Sequence, residues 1–335
     1  LKLKWKDYYH LQKAKAYELD GRKIYVVGIP AFKNDRKWRK PLVRLGYLLN
    51  RKKILRILNE TSPDIIHAHN MGNNMEMAEL LRNRFGIDFI VTARDVNQVS
   101  LNNIRSNKTK PKSIIAINKI ARDRCMGILE RDVQMMVHPI DHEFYIETQR
   151  DWPLNRPVAF VSVCKLFKLK NLDKVIEAFS RIKEQYSYTI IGDGPEYENL
   201  RRLVIEYGLQ DKVKLAGSFS YDRIKQELKT FDVMVMPSYP ETLGRAFFEA
   251  LASGLPIIAA RNTGVDGIIA NGIQGFVVDH NSVTDIRQAI QQYLHISPDA
   301  KSRMSENAMK LASNFTWDLT LKKYYHLYHS INLNE

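Results

Sequence analysis

Two glutamates and two lysines give the first chemical hint in this 335-residue chain. Glu241 and Glu249 lie in the stretch from Pro237 to Pro256, and Lys165 and Lys170 in the stretch from Cys164 to Asn171. The apolar run 233–236 reads as a strand that stops at Pro237. A helix is expected to begin near Thr242 or Leu243, with Thr242 as its N-cap. Glu241 then sits at the carboxyl end of a strand, where open α/β sheets bind their ligands. The free amides of Leu243, Gly244 and Arg245 would form a phosphate site at the helix start, and Gly244 would let a ligand approach the backbone. Glu249, further along the helix, is placed to accept two hydroxyls of a ribose, and Glu241 to accept hydroxyls of a sugar. Lys165 and Lys170 lie five apart on a loop after the strand 158–163, so both can reach one point. Two ammonium groups there would neutralise a diphosphate without a metal. A third strand end, residues 190–195, carries Gly192 and Gly194 and is suited to close approach by a nucleotide.

These residues need strands that end together. Short β-branched runs at 24–29, 65–68, 89–92, 113–117 and 133–137 alternate with helical patterns such as 42–59 and 75–85. The second half repeats the alternation. Its strands are expected at 158–163, 188–191, 213–215, 233–236, 257–260 and 276–278. Its helices are expected at 172–184, 196–207, 245–252, 283–294 and 298–312. This order predicts an α/β protein with two doubly wound parallel sheets, whose near-continuous apolar strands are covered on both faces. Pro153 and Pro157 bracket an irregular break, and a cleft between the two domains is the expected ligand site. The amino end departs from this pattern. It opens with a helical pattern at 8–19, capped by Gly21, before the strand 24–29. A first strand and its loop are therefore expected to precede residue 1. Trp317, Tyr324, Tyr325 and Tyr328 have helical spacing and read as core contacts of a last helix.

Lys plus Arg number 51 against 37 Asp plus Glu, for a net charge of +14. Residues 1–156 hold 30 basic and 17 acidic side chains, so +13 of the excess lies in the first half. Within it, Leu42, Leu45, Leu48, Leu49, Leu55 and Leu58 recur at helical spacing among Arg44, Arg51, Lys52, Lys53 and Arg56. Two readings stand: a basic amphipathic helix that lies on an anionic bilayer, or a surface helix with a solvated face. No RNP signature or zinc finger points to nucleic acid. No run of about 18 apolar residues offers a spanning helix. Cys125 and Cys164 cannot make a disulfide framework, and no secretion signal leads the chain, so a cytoplasmic protein, peripheral at most to the inner face of the plasma membrane, is expected. His67 and His69 share one face of a strand. Without further ligands at zinc-like spacing, they read as buried strand-end residues and not as a metal site.

The motifs together resemble the GT-B glycosyltransferases of family 4, the glycogen-synthase-like retaining enzymes. Glu241 and Glu249 resemble that family's paired glutamates, and Lys165 and Lys170 fall on the Arg and Lys of its diphosphate loop. Residues 192–195 and 231–238 match as well. In the first half, 64–69 and 91–95 are similar to strand ends that face the cleft, which marks His69 and Arg94 as the acceptor or cleft side. Phe315, Thr316 and Trp317 resemble the start of a helix that crosses back. Four departures are visible. His138-Pro-Ile-Asp141 stands for a frequent Asn-Gly-Val-Asp. Cys164-Lys165 stands for the usual Gly-Arg. Arg94 stands for a His that contacts the transferred sugar. The Glu of a Gly-Gly-x-x-Glu motif is absent near Gly267, with Asp266 one position away.

The resemblance implies a GT-B fold, two Rossmann-like domains facing a central cleft. Residues 1–152 would be the acceptor-side domain, 156–316 the donor domain and 317–335 the returning helix. It implies a retaining glycosyltransferase that uses a nucleotide-diphosphate sugar, no metal and no other cofactor. Glu241, Lys165 and Lys170 would be catalytic. Gly192, Leu243, Gly244 and Glu249 would bind the donor. Attack would come from the front face, with a donor phosphate oxygen taking the acceptor proton. The acceptor would be a glycan or lipid-linked, in surface polysaccharide biosynthesis. A nucleotide-sugar binder of the same fold without turnover fits the same residues. An epimerase or phosphorylase would need carboxylates or a pyridoxal lysine that the sequence does not place.

Overall fold

The computed structural model describes residues 17–19, 22–24, 39–94, 96, 98–106, 108–146 and 156–332. The chain divides into two compact units. One holds the chain up to Ala116, Ala121–Gln134 and the chain from Tyr328. The other holds Ile117–Ile120 and Met135–Leu327.

The first unit begins with strands β1 (Tyr17–Leu19) and β2 (Arg22–Ile24), paired antiparallel with Leu19 opposite Arg22. Residues 17–19 are therefore strand and not helix. The antiparallel pairing of Tyr17 with Ile24 and of Leu19 with Arg22 prevails over the helical spacing. Of the strand expected at 24–29 only Ile24 is described, and it ends β2. The rest of the 8–19 pattern, and the break at 151–155, lie outside the described residues.

Helix α1 (Arg39–Thr61), strand β3 (Ile65–His69), helix α2 (Asn73–Phe85), strand β4 (Asp88–Ala93), helix α3 (Gln98–Arg105), strand β5 (Ser113–Ala116), helix α4 (Lys119–Leu129) and strand β6 (Gln134–Met135) follow. The sheet order is β3-β4-β5-β6, with β3, β4 and β5 parallel. Its core gathers Phe89, Val91, Ile114, Met75, Leu101 and Cys125. α1 buries Leu42, Val43, Tyr47 and Ile54, with the Arg84 guanidinium of α2 4.6 Å above the Tyr47 ring. Leu45, Leu48 and Leu49 are 45%, 61% and 61% exposed. The six leucines thus do not share one face. The packed stripe follows 43, 47 and 54, and Leu45, Leu48 and Leu49 form a second stripe pointing outward. No helix of the described residues is long and apolar enough to cross a membrane.

The second unit contains β7 (Val158–Val163), α5 (Leu172–Ser180), β8 (Tyr186–Ile191), α6 (Tyr197–Glu206), β9 (Val213–Gly217), α7 (Tyr221–Glu227), β10 (Val233–Met236), α8 (Arg245–Ala252), β11 (Ile257–Ala260), β12 (Gly275–Val278), α9 (Val283–His295) and α10 (Pro298–Ala312). Helix α11 (Trp317–Asn332) runs from this unit into the first. All six strands are parallel in the order β12-β11-β10-β7-β8-β9. The chain winds outward from β7 through β8 to β9, then returns to β10 and winds the other way. β7 and β10 are therefore central neighbours, and their carboxyl ends flank the switch point where such sheets open a crevice. The strands read as apolar runs because both faces are covered: Phe160, Val161, Val233, Met234, Val235, Ile257 and Ile258 are fully buried. In α11, Trp317 and Tyr325 are exposed and are not core residues. Trp317 Nε1 instead donates to Asp141 Oδ1 at 3.0 Å.

One ion pair fixes the opposite end of the two central strands. Arg156 donates from Nη1 to Asp232 Oδ2 at 2.7 Å and from Nη2 to Oδ1 at 2.9 Å, and the Ala159 amide donates to Oδ2 at 2.7 Å. The Asp232 side chain is fully buried. Removing the carboxylate leaves the buried Ala159 amide without its acceptor and takes two charge-assisted bonds from Arg156, which keeps Pro157 O and Thr230 O, at a cost of about 3 kcal/mol. In urea unfolding, Asp232→Ala is expected to lower stability by about that amount. A loss below about 1 kcal/mol would mean that the pair does not hold β7 to β10.

Candidate active site

The loops after β7 and β10 meet at the switch point and are tied three times. Asn171 Nδ2 donates to Pro237 O at 2.8 Å. The Tyr239 amide donates to Leu169 O at 2.8 Å. Lys170 Nζ donates to Glu241 Oε2 at 2.7 Å. Ser238 Oγ donates to the same carboxylate oxygen at 3.1 Å. The side chains of Lys170 and Glu241 are 16% and 15% exposed, so both ions are half withdrawn from water yet open to a ligand. The Gly264 amide, from the loop after β11, donates to Glu241 O at 3.0 Å and steadies that backbone. Asp266 Oδ2 accepts the Asn262 amide at 2.6 Å, so its carboxylate closes its own turn.

Helix α8 starts at Arg245, with Gly244 as its N-cap and no side chain bonded to its first amides. Thr242 is therefore not the cap, and the helix starts after Thr242 and Leu243, at the first residue of the expected 245–252 helix. The reason is local: Gly244 has φ +70°, and a Cβ there would meet the Phe247 ring at 2.5 Å. The chain needs glycine to turn over Phe247, and the turn leaves the helix start open. Leu243 packs its side chain into the core beside this turn.

Lys165 is exposed and lines a groove of about 570 Å³ with Cys164, Gly192, Ser218, Phe219 and Ile224. Gly192, at φ +148°, is required by its neighbour: a Cβ would lie 1.8 Å from Cys164 O. The close approach inferred at this glycine is thus made first by the chain's own backbone. Cys164 borders both features. It lines the groove, and its thiol feels the charges of Lys170 and Glu241, while burial pushes its pKa up to about 12. At neutral pH it is a protonated packing group.

Glu249 points toward α7. Its Oε1 accepts the Tyr221 hydroxyl at 3.1 Å and lies 3.3 Å from Arg245 Nη2. Burial raises the Glu249 pKa, against the opposing effects of Arg245 and Tyr221. Sequence reasoning singled out neither Ser238 nor Tyr221 as a partner. Ser238 is three residues from Glu241, a spacing that offers it as a donor. Tyr221 lies 28 residues before Glu249 and carries no local signal.

In the first unit, His69 ends β3 and Arg94 follows β4, both exposed at strand carboxyl ends. Burial, then the charge of Arg94, lowers the His69 pKa. His67 is bonded at both nitrogens, Nδ1 to the Tyr328 hydroxyl at 2.8 Å and Nε2 to Thr92 Oγ1 at 2.7 Å. Burial, then His69, lowers its pKa to about 4, so it is neutral at physiological pH. Neither nitrogen is left for a metal. Among the described residues no group of three or more His, Cys, Asp or Glu side chains is arranged to hold a metal ion.

Residues 146–311 match the family model of the glycosyl transferases group 1. An uncharacterized glycosyltransferase of Methanocaldococcus jannaschii is 24% identical over 283 residues, 82% of this chain and 78% of that protein. The lipopolysaccharide core biosynthesis glycosyltransferase LpsE of Rhizobium meliloti is 32% identical over 142 residues, 42% of this chain and 41% of that protein. Among solved structures, Anabaena HepE in complex with UDP and glucose superposes with a TM-score of 0.68 at 18% identity, covering 87% of this chain and 82% of that one. Residues 146–311, just under half of the chain, thus carry the group 1 glycosyl transferase match, and with these relatives and the two wound parallel sheets the chain is a transferase enzyme of GT-B fold.

Proposed function

We propose that the protein is a retaining glycosyltransferase that takes its sugar from a nucleotide-diphosphate donor. The observation that carries this reading is the Lys170–Glu241 pair at the switch point. Each member has a natural ligand partner there. The Lys170 ammonium, with Lys165 and the open start of α8, would receive the diphosphate and stabilise it as it leaves. The Glu241 carboxylate would orient the sugar through its hydroxyls. The groove at Lys165 and Gly192 has room for a nucleoside, and Glu249 would accept the ribose hydroxyls. This arrangement needs no metal and no nucleophile from the protein, as in the front-face reaction that the resemblance implies. HepE, with UDP and glucose, supports a nucleotide-sugar donor.

His69 and Arg94 are proposed as contacts on the acceptor side, and a glycan or lipid-linked acceptor suits the basic first half. LpsE, named for lipopolysaccharide core biosynthesis, supports a role in surface polysaccharide assembly. The outward stripe of α1 is proposed as the face that meets an anionic bilayer. Leu45, Leu48 and Leu49 stand out of the helix beside exposed Arg44, Arg51 and Lys52. A second copy of the chain docking there would set like charges against each other, whereas anionic headgroups complement them at about 1 kcal/mol per basic residue.

Two measurements test this reading. The first is turnover of UDP-, GDP- and ADP-sugars. Glu241→Ala and Lys170→Ala should each lower it by about 100-fold or more with the fold intact by circular dichroism. Parent-like turnover in either variant contradicts the site. Binding without turnover by the parent favours the non-catalytic alternative. The second is flotation with phosphatidylglycerol and phosphatidylcholine vesicles. The chain should float with the anionic vesicles only, and Leu48→Asp with Leu49→Asp should abolish it. Equal flotation with both lipids, or none, rejects the α1 surface.

A further inference from the structure

Glu249 is held asymmetrically. The residue is 7% exposed, and both of its protein partners act on one oxygen. Oε1 accepts the Tyr221 hydroxyl at 3.1 Å and lies 3.3 Å from Arg245 Nη2, and the same Nη2 donates to the Tyr221 oxygen at 2.9 Å. The three groups close a triangle around Oε1. Oε2 takes no hydrogen bond from the described residues and is not among the buried unsatisfied atoms, so it remains open to a ligand.

The phenol that sets this arrangement is itself fixed. Tyr221 opens α7 just after its N-cap, where Ser220 Oγ accepts the Arg223 amide. Its ring meets the fully buried Phe144 edge-on at 5.5 Å. Asp141 lies near this hydroxyl and is itself held by Trp317 Nε1 at 3.0 Å. We propose that Tyr221 is a positioning residue for donor binding: with Arg245 it pins Glu249 Oε1 and so presents Oε2 to the ribose hydroxyls of the nucleotide. The inference rests on the ribose role proposed for Glu249. Without the phenol, Arg245, one turn before Glu249, is free to take the carboxylate in a two-pronged bond that uses both oxygens. Oε2 would then be closed to the ligand.

The test is calorimetric binding of UDP, GDP and ADP and of their 2′-deoxy counterparts to the full chain, to Tyr221→Phe and to Glu249→Ala. The parent should prefer the ribonucleotide that it binds best by about tenfold, as expected for hydrogen bonds to a charged acceptor. In Tyr221→Phe that preference should fall to about twofold or less, with the melting temperature unchanged. A merely structural phenol would shift both affinities together and leave their ratio alone. If Tyr221→Phe keeps the parent's ratio while Glu249→Ala loses it, the role of Tyr221 is refuted and that of Glu249 stands. If Glu249→Ala also keeps the ratio, or the parent shows no preference, Glu249 does not read the ribose. If none of the three nucleotides binds, the donor reading fails and this inference with it.

Discussion

The ion pair between Lys170 and Glu241 joins residues 71 positions apart, and its geometry depends on how the second sheet is wound. Two loops can meet at the carboxyl edge of a parallel sheet only if their strands are neighbours. β7 and β10 are neighbours because the chain leaves the centre in one direction and returns to begin in the other. At the far end of the same strands, Asp232 binds Arg156 and the Ala159 amide. One pair fixes the start of the two strands and the other joins the loops that leave them. The candidate chemistry sits on the shortest path between two rigid elements, where a small displacement would separate a cation from the anion opposite it.

Charge in this region is placed with a division of labour. Lys170 and Glu241 are partly exposed and face each other, so a diphosphate sugar could replace each partner with one of its own groups. Glu249 is more deeply buried and has one oxygen already committed. Lys165 stands exposed in the groove, where its solvation cost is small. The Cys164 thiol between them stays protonated because burial outweighs the nearby Lys170. The first unit carries most of the net positive charge, and its α1 exposes leucine beside arginine and lysine, a combination suited to an interface and not to bulk water.

Much of this was legible in the sequence where local rules agree with tertiary demands. β7, β10, β11, α8 and α10 fall at the residues that apolar runs, Pro237, Pro256 and Pro298 mark. Glu241, Lys170, Glu249 and Gly244 stand out because their types and spacing are unusual together. Other features were not legible. The cap of α8 is not legible: a Ser/Thr/Asp/Asn rule favours Thr242, whereas the Phe247 ring beneath Gly244 decides the turn. Helical spacing at the amino end gives no sign of the antiparallel pairing of Tyr17–Leu19 with Arg22–Ile24. The leucines of α1 follow two stripes, and periodicity alone does not say which one packs. Tyr221 reaches Glu249 through the fold, and no spacing along the chain announces it.

The most direct test of the account is a crystal structure of the protein with a non-hydrolysable nucleotide-diphosphate sugar. The account predicts the diphosphate within about 3 Å of Lys170 Nζ, a sugar hydroxyl on Glu241, and the ligand lying over the start of α8. A ligand bound elsewhere, with Lys170 and Glu241 still closed on each other, would contradict it.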